Sequence, residues 1–200
     1  MYVHVKRILD YLLSLLAIVV LSPVLLVISV VIRVTSPGPV LFRQKRVGQG
    51  KRHFMIYKFR TMRTDAPKDQ PTHLLQDPNA YITPVGRFLR RSSLDELPQL
   101  MNILKGEMAV VGPRPALWNQ FDLIAERDRY GANDVRPGLT GWAQINGRDE
   151  LPIEVKARLD GEYVKRMSFG FDLRCILGTV VKVLRSEDVV EGARDEGNRD

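Results

Sequence analysis

Two adjacent carboxylates, Asp95 and Glu96, lie in the segment RRSSLDELPQL (Arg90–Leu100), directly after basic and hydroxyl residues. Neighbouring residues on a helix point about 100° apart, so these groups cannot face each other across a substrate like the acid pair of a glycosidase. Adjacent acids can instead divide the work, one as nucleophile and one as metal ligand. A carboxylate that attacks phosphorus forms an acyl phosphate, and Mg²⁺ prefers oxygen ligands. The dyad is therefore a candidate centre for Mg²⁺-assisted phosphoryl transfer.

The same segment has a simpler interpretation as the start of a helix. Ser93 and Glu96 fit the capping-box pattern, and we expect a helix from Ser93 or Leu94 to Leu104. The free N–H groups at a helix start attract phosphate and keep a carboxylate ionised, so both interpretations can hold. Because capping and metal binding need the same Glu96 carboxylate, we expect it to switch between them or to have little capping role.

Arginines in or beside turns rich in glycine and proline supply the positive charge that such a centre needs. Rigid guanidinium groups suit bidentate binding of phosphate. Each alone is more often a surface salt-bridge partner, but together with the acid pair they predict an anionic substrate. These arginines are Arg90, Arg91, Arg114, Arg136 and Arg148.

Composition narrows the class of protein. The 200 residues suit one functional domain, and the net charge of +7 favours partners that carry negative charge: nucleic acid, anionic lipid or phosphorylated small molecules. The single cysteine, Cys175, excludes an internal disulfide, and the three histidines are scattered along the chain. A reducing, cytosol-facing location fits this composition best.

An uncharged segment of 22 residues, Tyr11–Ile32, is long enough for a transmembrane helix. Ser22 and Pro23 interrupt it near the middle, where proline removes a helical hydrogen bond. Both flanks are basic, although positive charge normally collects on the cytoplasmic side alone. Two alternatives follow from these residues: a proline-kinked spanning helix, or a re-entrant hairpin with both flanks on the cytoplasmic face. The flanking cations are Lys6, Arg7, Arg33, Arg43, Lys45 and Arg46.

The remaining elements predict an α/β protein that is mostly helical and has a small β-hairpin. Strands are expected in PVLFRQ and FMIYKFRTM, joined through VGQGK, in a region (43–63) with eight Lys and Arg and no acid. Residues 64–83 are predicted to form a mobile loop, and GEMAVVGPRPA a short strand or turn. Helices are expected over 85–91 and in ALWNQFDLIAERDRY, IEVKARLDGEYVKR and FDLRCILGTVVKVLRS. The last is amphipathic and can pack on the core, which we favour, or lie in a membrane interface.

Three long blocks together resemble the bacterial sugar transferases, the small monotopic phosphoglycosyl transferases. The blocks are PVLFRQKRVGQGKRHFMIYKFRTM, RSSLDELPQLMNILKGEMAVVGPRP and VRPGLTGWAQINGR, in the family's order. The resemblance covers the chain from about Lys6 to Val190. We expect the additional transmembrane helices of larger relatives to be missing.

The resemblance implies transfer of a sugar 1-phosphate from a UDP-sugar to undecaprenyl phosphate, with release of UMP. It assigns Asp95 as the nucleophile that forms a covalent phosphosugar intermediate and Glu96 as the Mg²⁺ ligand. It also implies a re-entrant membrane helix broken at Ser22 and Pro23. The candidate substrate-binding residues, with Arg136 added from its turn-rich surroundings, are Lys58, Arg60, Arg90, Arg114, Arg136 and Arg148.

The resulting hypothesis has three parts: a membrane anchor over 1–36, a cytoplasmic catalytic domain over 37–190, and a disordered tail over 191–200. The expected location is the cytoplasmic face of the bacterial inner membrane, in contact with phospholipids, at the first membrane step of capsule, exopolysaccharide, O-antigen or glycoprotein glycan assembly. The donor is expected to be an N-acetylated amino or deoxy sugar. Self-association and contact with downstream glycosyltransferases are left open, as is the glycan that is built.

Two rival functions are compatible with parts of the sequence. A membrane-tethered basic module for nucleic acid accounts for the charge and the anchor, but it gives no reason for Asp95 and Glu96, and no recognised nucleic-acid-binding motif occurs. An inactive scaffold subunit of a glycan-assembly complex accounts for the resemblance, but the intact dyad argues against it. We therefore expect no nucleic-acid partner.

Overall fold

The longest element is helix α1 (Tyr2–Thr35), in a computed structural model that describes residues 2–67, 77–147 and 151–185. Pro23 lies inside α1, and the Ser22 hydroxyl one residue earlier donates a hydrogen bond to the carbonyl of Val19 (2.8 Å). By length and composition α1 is able to cross a membrane. The predicted apolar helix is confirmed, whereas a return of the chain at Pro23 stays a prediction.

One stripe of α1 contacts the rest of the protein along most of the helix length. The buried positions recur at helical spacing, and apolar residues outside them face outward. Near one end, the Asp10 carboxylate accepts a hydrogen bond from the Val110 amide (3.2 Å). Near the other end, Ile32 packs with Phe59 and Leu89. Residues on both sides of Pro23 therefore touch the same globular part of the chain.

The predicted hairpin is confirmed as two antiparallel strands, β1 (Leu41–Val47) and β2 (His53–Phe59). The Asn102 side chain covers the backbone of β2, because its Oδ1 accepts from Tyr57 N (3.0 Å) and its Nδ2 donates to Met55 O (2.8 Å). Ile56 faces inward, where it packs with Leu100, Ile103 and Met108. The hairpin therefore has a fixed inner face on which a polar residue can be positioned.

Short helices follow the hairpin. Within the predicted loop of residues 64–83, the structure contains α2 (Pro78–Tyr81), while residues 68–76 lie outside the described part. α3 (Pro84–Arg91) confirms the expected helix, and the Thr83 side chain caps its start by accepting a hydrogen bond from Gly86 N (2.9 Å).

The prediction of one continuous α-helix from Ser93 or Leu94 to Leu104 is wrong. The segment Leu94–Gln99 is a 3₁₀-helix, and α4 covers only Leu100–Leu104. Pro98 explains this difference, since it lacks the N–H that an α-helix starting at Leu94 would use. The predicted capping box is not formed, because Ser93 has φ 55° and its side chain makes no cap hydrogen bond.

A parallel strand pair, β3 (Ala109–Val111) and β4 (Gly138–Thr140), joins two of the sequence blocks. β3 was expected, but β4 and α6 (Trp142–Ile145) were missed because the surrounding glycines hide any periodicity. α5 (Phe121–Asp128) begins later than predicted. Before it, the Gln120 side chain accepts a hydrogen bond from Leu117 N (2.8 Å) and holds a turn.

The last two helices, α7 (Ile153–Arg166) and α8 (Phe169–Arg185), confirm the predicted helices at the end of the chain. Tyr163 and Phe171 pack with Cys175 and Val111 in a core that joins both helices to β3. Burial raises the pKa of the Cys175 thiol to about 11. The expected tail, residues 191–200, lies outside the described residues.

Candidate active site

Strand β2 places an ammonium group against the acid dyad. Side chains alternate along a strand, so Lys58 shares the inner face of the hairpin with Ile56. Its Nζ lies 2.7 Å from Glu96 Oε1 and 3.9 Å from Asp95 Oδ2. The sequence predicted Lys58 as a substrate-binding residue but did not predict this contact with both carboxylates.

The loop after β3 adds a second cation. Arg114 donates from Nη2 to Glu96 Oε1, at 3.1 Å. The loop is held by backbone hydrogen bonds from Gly112 N to Thr140 O and from Gly138 N to Pro113 O, each 2.8 Å. The GPRP loop and the block around β4 are therefore one structural unit.

Close approach of backbones explains the glycines of that unit. A Cβ on Gly138 would lie 2.1 Å from Gly112 N, and one on Gly141 would lie 2.0 Å from Gly112 O. Real Cβ atoms do not approach backbone atoms so closely, and here neither partner is a flexible side-chain end. The close packing at these glycines therefore fixes the loop that carries Arg114.

Both carboxylates are largely withdrawn from solvent, since Asp95 is 8% and Glu96 7% exposed. Lys58 and Arg114 together balance the two negative charges, which burial of an acid pair requires. Burial lowers the pKa of the Lys58 ammonium, and the charges of Glu96 and Asp95 act in the opposite direction. The four side chains form a compact, charge-balanced cluster.

Within this cluster the two acids have different surroundings. Glu96 Oε1 accepts hydrogen bonds from both Lys58 and Arg114. The Asp95 carboxylate lies beyond hydrogen-bonding distance of Lys58, at 3.9 Å, but close enough for its negative charge to be stabilised. The two carboxylates therefore stand differently toward Lys58, since Glu96 is hydrogen-bonded to it and Asp95 is 3.9 Å away. The expectation that Glu96 switches between capping and metal binding, or has little capping role, stays a prediction.

Two other arginines that the sequence predicted to bind substrate, Arg60 and Arg90, contact other parts of the chain. Arg60 is buried and donates to the carbonyls of Ser36 (2.7 Å) and Pro37 (2.9 Å), so it fixes the chain that leaves α1. Arg90 donates from Nε to the hydroxyl of Thr61, at 2.9 Å. It belongs to the last turn of α3, immediately before the segment that carries the dyad. A direct role of either residue in substrate binding stays a prediction.

Arg136 lies on the side of the protein that faces the start of α1. The charges of Arg7 and Asp10 reach it, and burial lowers the pKa of its guanidinium. Its carbonyl oxygen lies 2.5 Å from the Cβ position of Gly112, so its backbone helps to shape the GPRP loop. Arg148 lies outside the described residues.

The donor set fits a metal ion that protein and substrate hold jointly. Within residues 2–67, 77–147 and 151–185, no group of three or more His, Cys, Asp or Glu side chains could hold a metal ion. Mg²⁺ commonly binds one or two carboxylates together with the phosphates of a substrate. Glu96, with Asp95 beside it, offers that kind of incomplete site.

A structural residue that sequence reasoning missed is Asn102. It is fully buried and ties α4 to β2, and its Nδ2 also donates to the Glu107 carboxylate (2.7 Å). The signal was present in the sequence, because a single amide stands among apolar residues in LMNIL. By fixing β2 relative to the segment after the dyad, Asn102 indirectly fixes Lys58 relative to Glu96.

The fold and site together define a protein with an apolar helix and a basic hairpin that holds an acid dyad. Comparison with known proteins extends this description. The family model for bacterial sugar transferases matches residues 1–186. The chain belongs to the bacterial sugar transferase family, as its sequence blocks predicted.

Individual relatives agree with the family assignment. The chain is 42% identical over 184 residues to the uncharacterized sugar transferase EpsL of Bacillus subtilis (strain 168), covering 92% of this chain and 89% of that protein. It is 41% identical over 190 residues to the UDP-glucose:undecaprenyl-phosphate glucose-1-phosphate transferase of Xanthomonas campestris pv. campestris. It is 38% identical over 189 residues to the UDP-N-acetylgalactosamine-undecaprenyl-phosphate N-acetylgalactosaminephosphotransferase of Aeromonas hydrophila. The last two alignments each cover 92% of this chain, but they cover only 39% of the Xanthomonas protein and 44% of the Aeromonas protein.

Proposed function

We propose that this protein transfers a sugar 1-phosphate from a UDP-sugar to undecaprenyl phosphate and releases UMP. The observation that carries the proposal is the cluster in which Lys58 and Arg114 hold Glu96 while Asp95 stands next to it. The names of the relatives support the same reaction class. Such a reaction starts the assembly of capsule, exopolysaccharide, O-antigen or glycoprotein glycans on a lipid carrier.

In the first step, a carboxylate oxygen of Asp95 attacks the β-phosphorus of the UDP-sugar. A bond forms between this oxygen and phosphorus, and the bond from phosphorus to the bridging oxygen breaks. UMP leaves, and an aspartyl phosphosugar remains on the protein. The nearby cations Lys58 and Arg114 support this step, because charge builds on the phosphate oxygens as the bond to UMP breaks.

In the second step, a phosphate oxygen of undecaprenyl phosphate attacks the same phosphorus. The bond to Asp95 breaks, the carboxylate is regenerated, and undecaprenyl-diphosphate-sugar leaves. Splitting the reaction in two means that the soluble donor and the lipid acceptor do not have to be bound together. One acid dyad can therefore serve both half-reactions.

Glu96 would hold Mg²⁺ together with the donor phosphates, and the ion would supply positive charge at the reacting phosphate. Lys58 and Arg114 occupy the Glu96 carboxylate in the structure described here. Donor phosphates would offer both cations alternative acceptors, which would leave the Glu96 carboxylate available to hold the metal ion. With such an exchange, the negative charge of the dyad would be balanced by Lys58 and Arg114 before the donor binds and by the metal ion afterwards.

We also propose that α1 is a re-entrant anchor, bent at Ser22 and Pro23, with the catalytic part on the cytoplasmic face. The support is that Asp10 and Ile32, on opposite sides of Pro23, both contact the globular part. A helix that crossed the bilayer once would place its two ends on opposite sides. Both basic flanks then lie on the cytoplasmic side, as the distribution of positive charge favours.

The topology is tested by labelling an introduced cysteine with a maleimide that does not cross membranes. We expect His4→Cys, at an exposed position before the apolar segment, to react only after the inner membrane is permeabilised. Ala125→Cys on α5 is the matched control in the catalytic part. Reaction of residue 4 in intact spheroplasts, with residue 125 protected, would contradict the re-entrant anchor.

The donor sugar is proposed to be an N-acetylated amino or deoxy sugar. Relatives named for glucose and for N-acetylgalactosamine match this chain almost equally, at 41% and 38% identity. UDP-glucose is therefore the necessary comparison in a panel of UDP-sugars assayed for UMP release with undecaprenyl phosphate and Mg²⁺. The proposed function requires release with at least one donor, and Asp95→Asn must abolish it. No release from any donor would overturn the proposal.

A further inference from the structure

A buried side-chain amide lies one helical turn after the acid dyad. Gln99 is 2% exposed, and no group in the described part of the chain forms a hydrogen bond with its Nε2. Burial of an N–H group without an acceptor destabilises a fold, so the buried amides of folded proteins are nearly always paired. A function in the neighbouring site would account for the presence of this one.

The position of Gln99 follows from the 3₁₀-helix Leu94–Gln99. Such a helix has three residues per turn, so Glu96 and Gln99 lie on the same face, whereas Asp95 lies on a different one. The next residue at this spacing, Asn102, is also buried. Glu96, Gln99 and Asn102 therefore form a row of polar side chains along one side of the segment.

Both ends of this row contact strand β2. Glu96 accepts a hydrogen bond from the Lys58 ammonium, at 2.7 Å. Both amide atoms of Asn102 bond to the backbone of β2, at 3.0 and 2.8 Å. Gln99 lies between these two contacts, so it is on the side of the segment that faces the hairpin.

We propose that Gln99 is a positioning residue for Glu96, and that its Nε2 donates a hydrogen bond to the Glu96 carboxylate when donor and metal are bound. This inference rests on the proposed function, in which donor phosphates would draw Lys58 and Arg114 away from Glu96. The carboxylate then loses the two donors that hold it now, and Gln99 is its polar neighbour on the same face. Carboxylates that bind a metal ion are themselves hydrogen-bonded, which fixes their orientation.

Action through Glu96 fits the structure better than contact between Gln99 and the substrate. Gln99 is less exposed than either acid of the dyad. It also lies beyond Glu96 in the row, toward the side where Leu100 and Ile103 of α4 pack on Ile56 of β2. A substrate that reaches the dyad therefore meets Glu96 before Gln99.

The first test is the unfolding midpoint of Gln99→Met, measured on the full chain in detergent micelles without ligands. Methionine is also unbranched but has no N–H, so loss of an unpaired amide should leave the midpoint equal or higher. Gln120→Met is the matched control, because this amide accepts a hydrogen bond from Leu117 N and its loss should lower the midpoint. A lowered midpoint in Gln99→Met would overturn the inference, since the amide would then stabilise the protein before any ligand binds.

The second test is the Mg²⁺ dependence of UMP release by the same variant. We expect the Mg²⁺ concentration for half-maximal release to rise about 10-fold, as is typical when a hydrogen bond to a metal ligand is lost. The donor KM at saturating Mg²⁺ should stay close to that of the wild type. Gln99→Leu should behave in the same way, which separates loss of the N–H from the packing of methionine. Unchanged Mg²⁺ dependence in both variants overturns the inference, and so does a raised donor KM at saturating Mg²⁺, which indicates direct contact with the donor.

Combination with Glu96→Gln tests whether Gln99 acts through Glu96. Substitutions in one interacting unit are not additive, so Gln99→Met should change UMP release little in the Glu96→Gln background. A further loss as large as that in the wild-type background would overturn the inference and leave the proposed function intact. Absence of UMP release by the wild-type protein with every UDP-sugar would instead refute the proposed function, and this inference falls with it.

Discussion

The ammonium nitrogen of Lys58 lies 2.7 Å from the Glu96 carboxylate, on a strand that is 38 positions earlier in the chain than the acid. This contact joins the basic hairpin to the acid dyad. Glu96 accepts a hydrogen bond from each of the cations Lys58 and Arg114, and Asp95 lies 3.9 Å from the Lys58 ammonium.

Lys58 is expected to set the alkaline limit of activity. Burial lowers the pKa of its ammonium, so it loses its proton at a lower pH than an exposed lysine does. The protonated amine is the form that donates to Glu96, so kcat/KM is expected to fall as pH rises through this lowered pKa. Lys58→Arg stays charged at every accessible pH and should move the alkaline limb upward. Identical pH profiles for both proteins would show that Lys58 is not the titrating group.

Glu96→Gln is expected to keep the fold but to lose most of its response to Mg²⁺. The amide keeps the shape of the side chain and can accept a hydrogen bond from Lys58, but it is a poor ligand for the metal. We expect UMP release to drop at least 100-fold, with little further change across a Mg²⁺ titration. Glu107→Gln, at a carboxylate bonded to Asn102, is the control. Wild-type Mg²⁺ dependence in Glu96→Gln would contradict the metal assignment.

Gly138→Ala should damage the site without touching a catalytic group. The new Cβ would lie 2.1 Å from Gly112 N, so the GPRP loop that carries Arg114 must shift. Shifts of about 1 Å in positioning elements can cost about 100-fold in rate. Gly170→Ala is the matched control, because its Cβ meets nothing within 4 Å. Equal activity of the two variants would show that the close approach of the loops does not position Arg114.

Removal of one partner from the buried pair of Arg127 and Asp160 is expected to destabilise the fold strongly. Arg127 Nη2 lies 2.6 Å from Asp160 Oδ2, with both side chains almost fully buried. Arg127→Met leaves the buried carboxylate without its partner, which typically lowers the free energy of unfolding by about 3–5 kcal/mol. Chemical unfolding in detergent micelles measures this loss. Arg129→Met, at an exposed arginine paired with Glu126, should leave the unfolding midpoint nearly unchanged. Similar unfolding midpoints for Arg127→Met and Arg129→Met would show that loss of the buried partner of Asp160 does not destabilise the fold.

Much of the fold could be predicted because its patterns are local. The long apolar helix, the hairpin and the helices α3, α7 and α8 each follow from periodicity and turn residues in a single segment. The prediction failed at Leu94–Gln99, where the capping pattern was given more weight than Pro98. It also missed β4, whose pairing with β3 depends on contacts between segments about 30 residues apart.

The site was predicted in part, for a related reason. Residue type and sequence spacing identify Asp95, Glu96 and Arg114 as candidates, since each stands in a distinctive motif. They do not reveal that Lys58 reaches the dyad, because this depends on how the hairpin packs against the 3₁₀-helix. They also give Arg60 and Arg136 the same status as Arg114. In the structure, Arg60 donates hydrogen bonds to the chain that leaves α1, and Arg136 lies within reach of the charges of Arg7 and Asp10.

The most direct test of the proposed chemistry is mass spectrometry of the protein after incubation with its UDP-sugar and Mg²⁺, without undecaprenyl phosphate. We expect the peptide that contains Asp95 to gain the mass of one sugar phosphate, and to lose it when undecaprenyl phosphate is added. Asp95→Asn should gain nothing. Steady UMP release without any adduct on Asp95, or undiminished turnover by Asp95→Asn, would contradict the covalent mechanism.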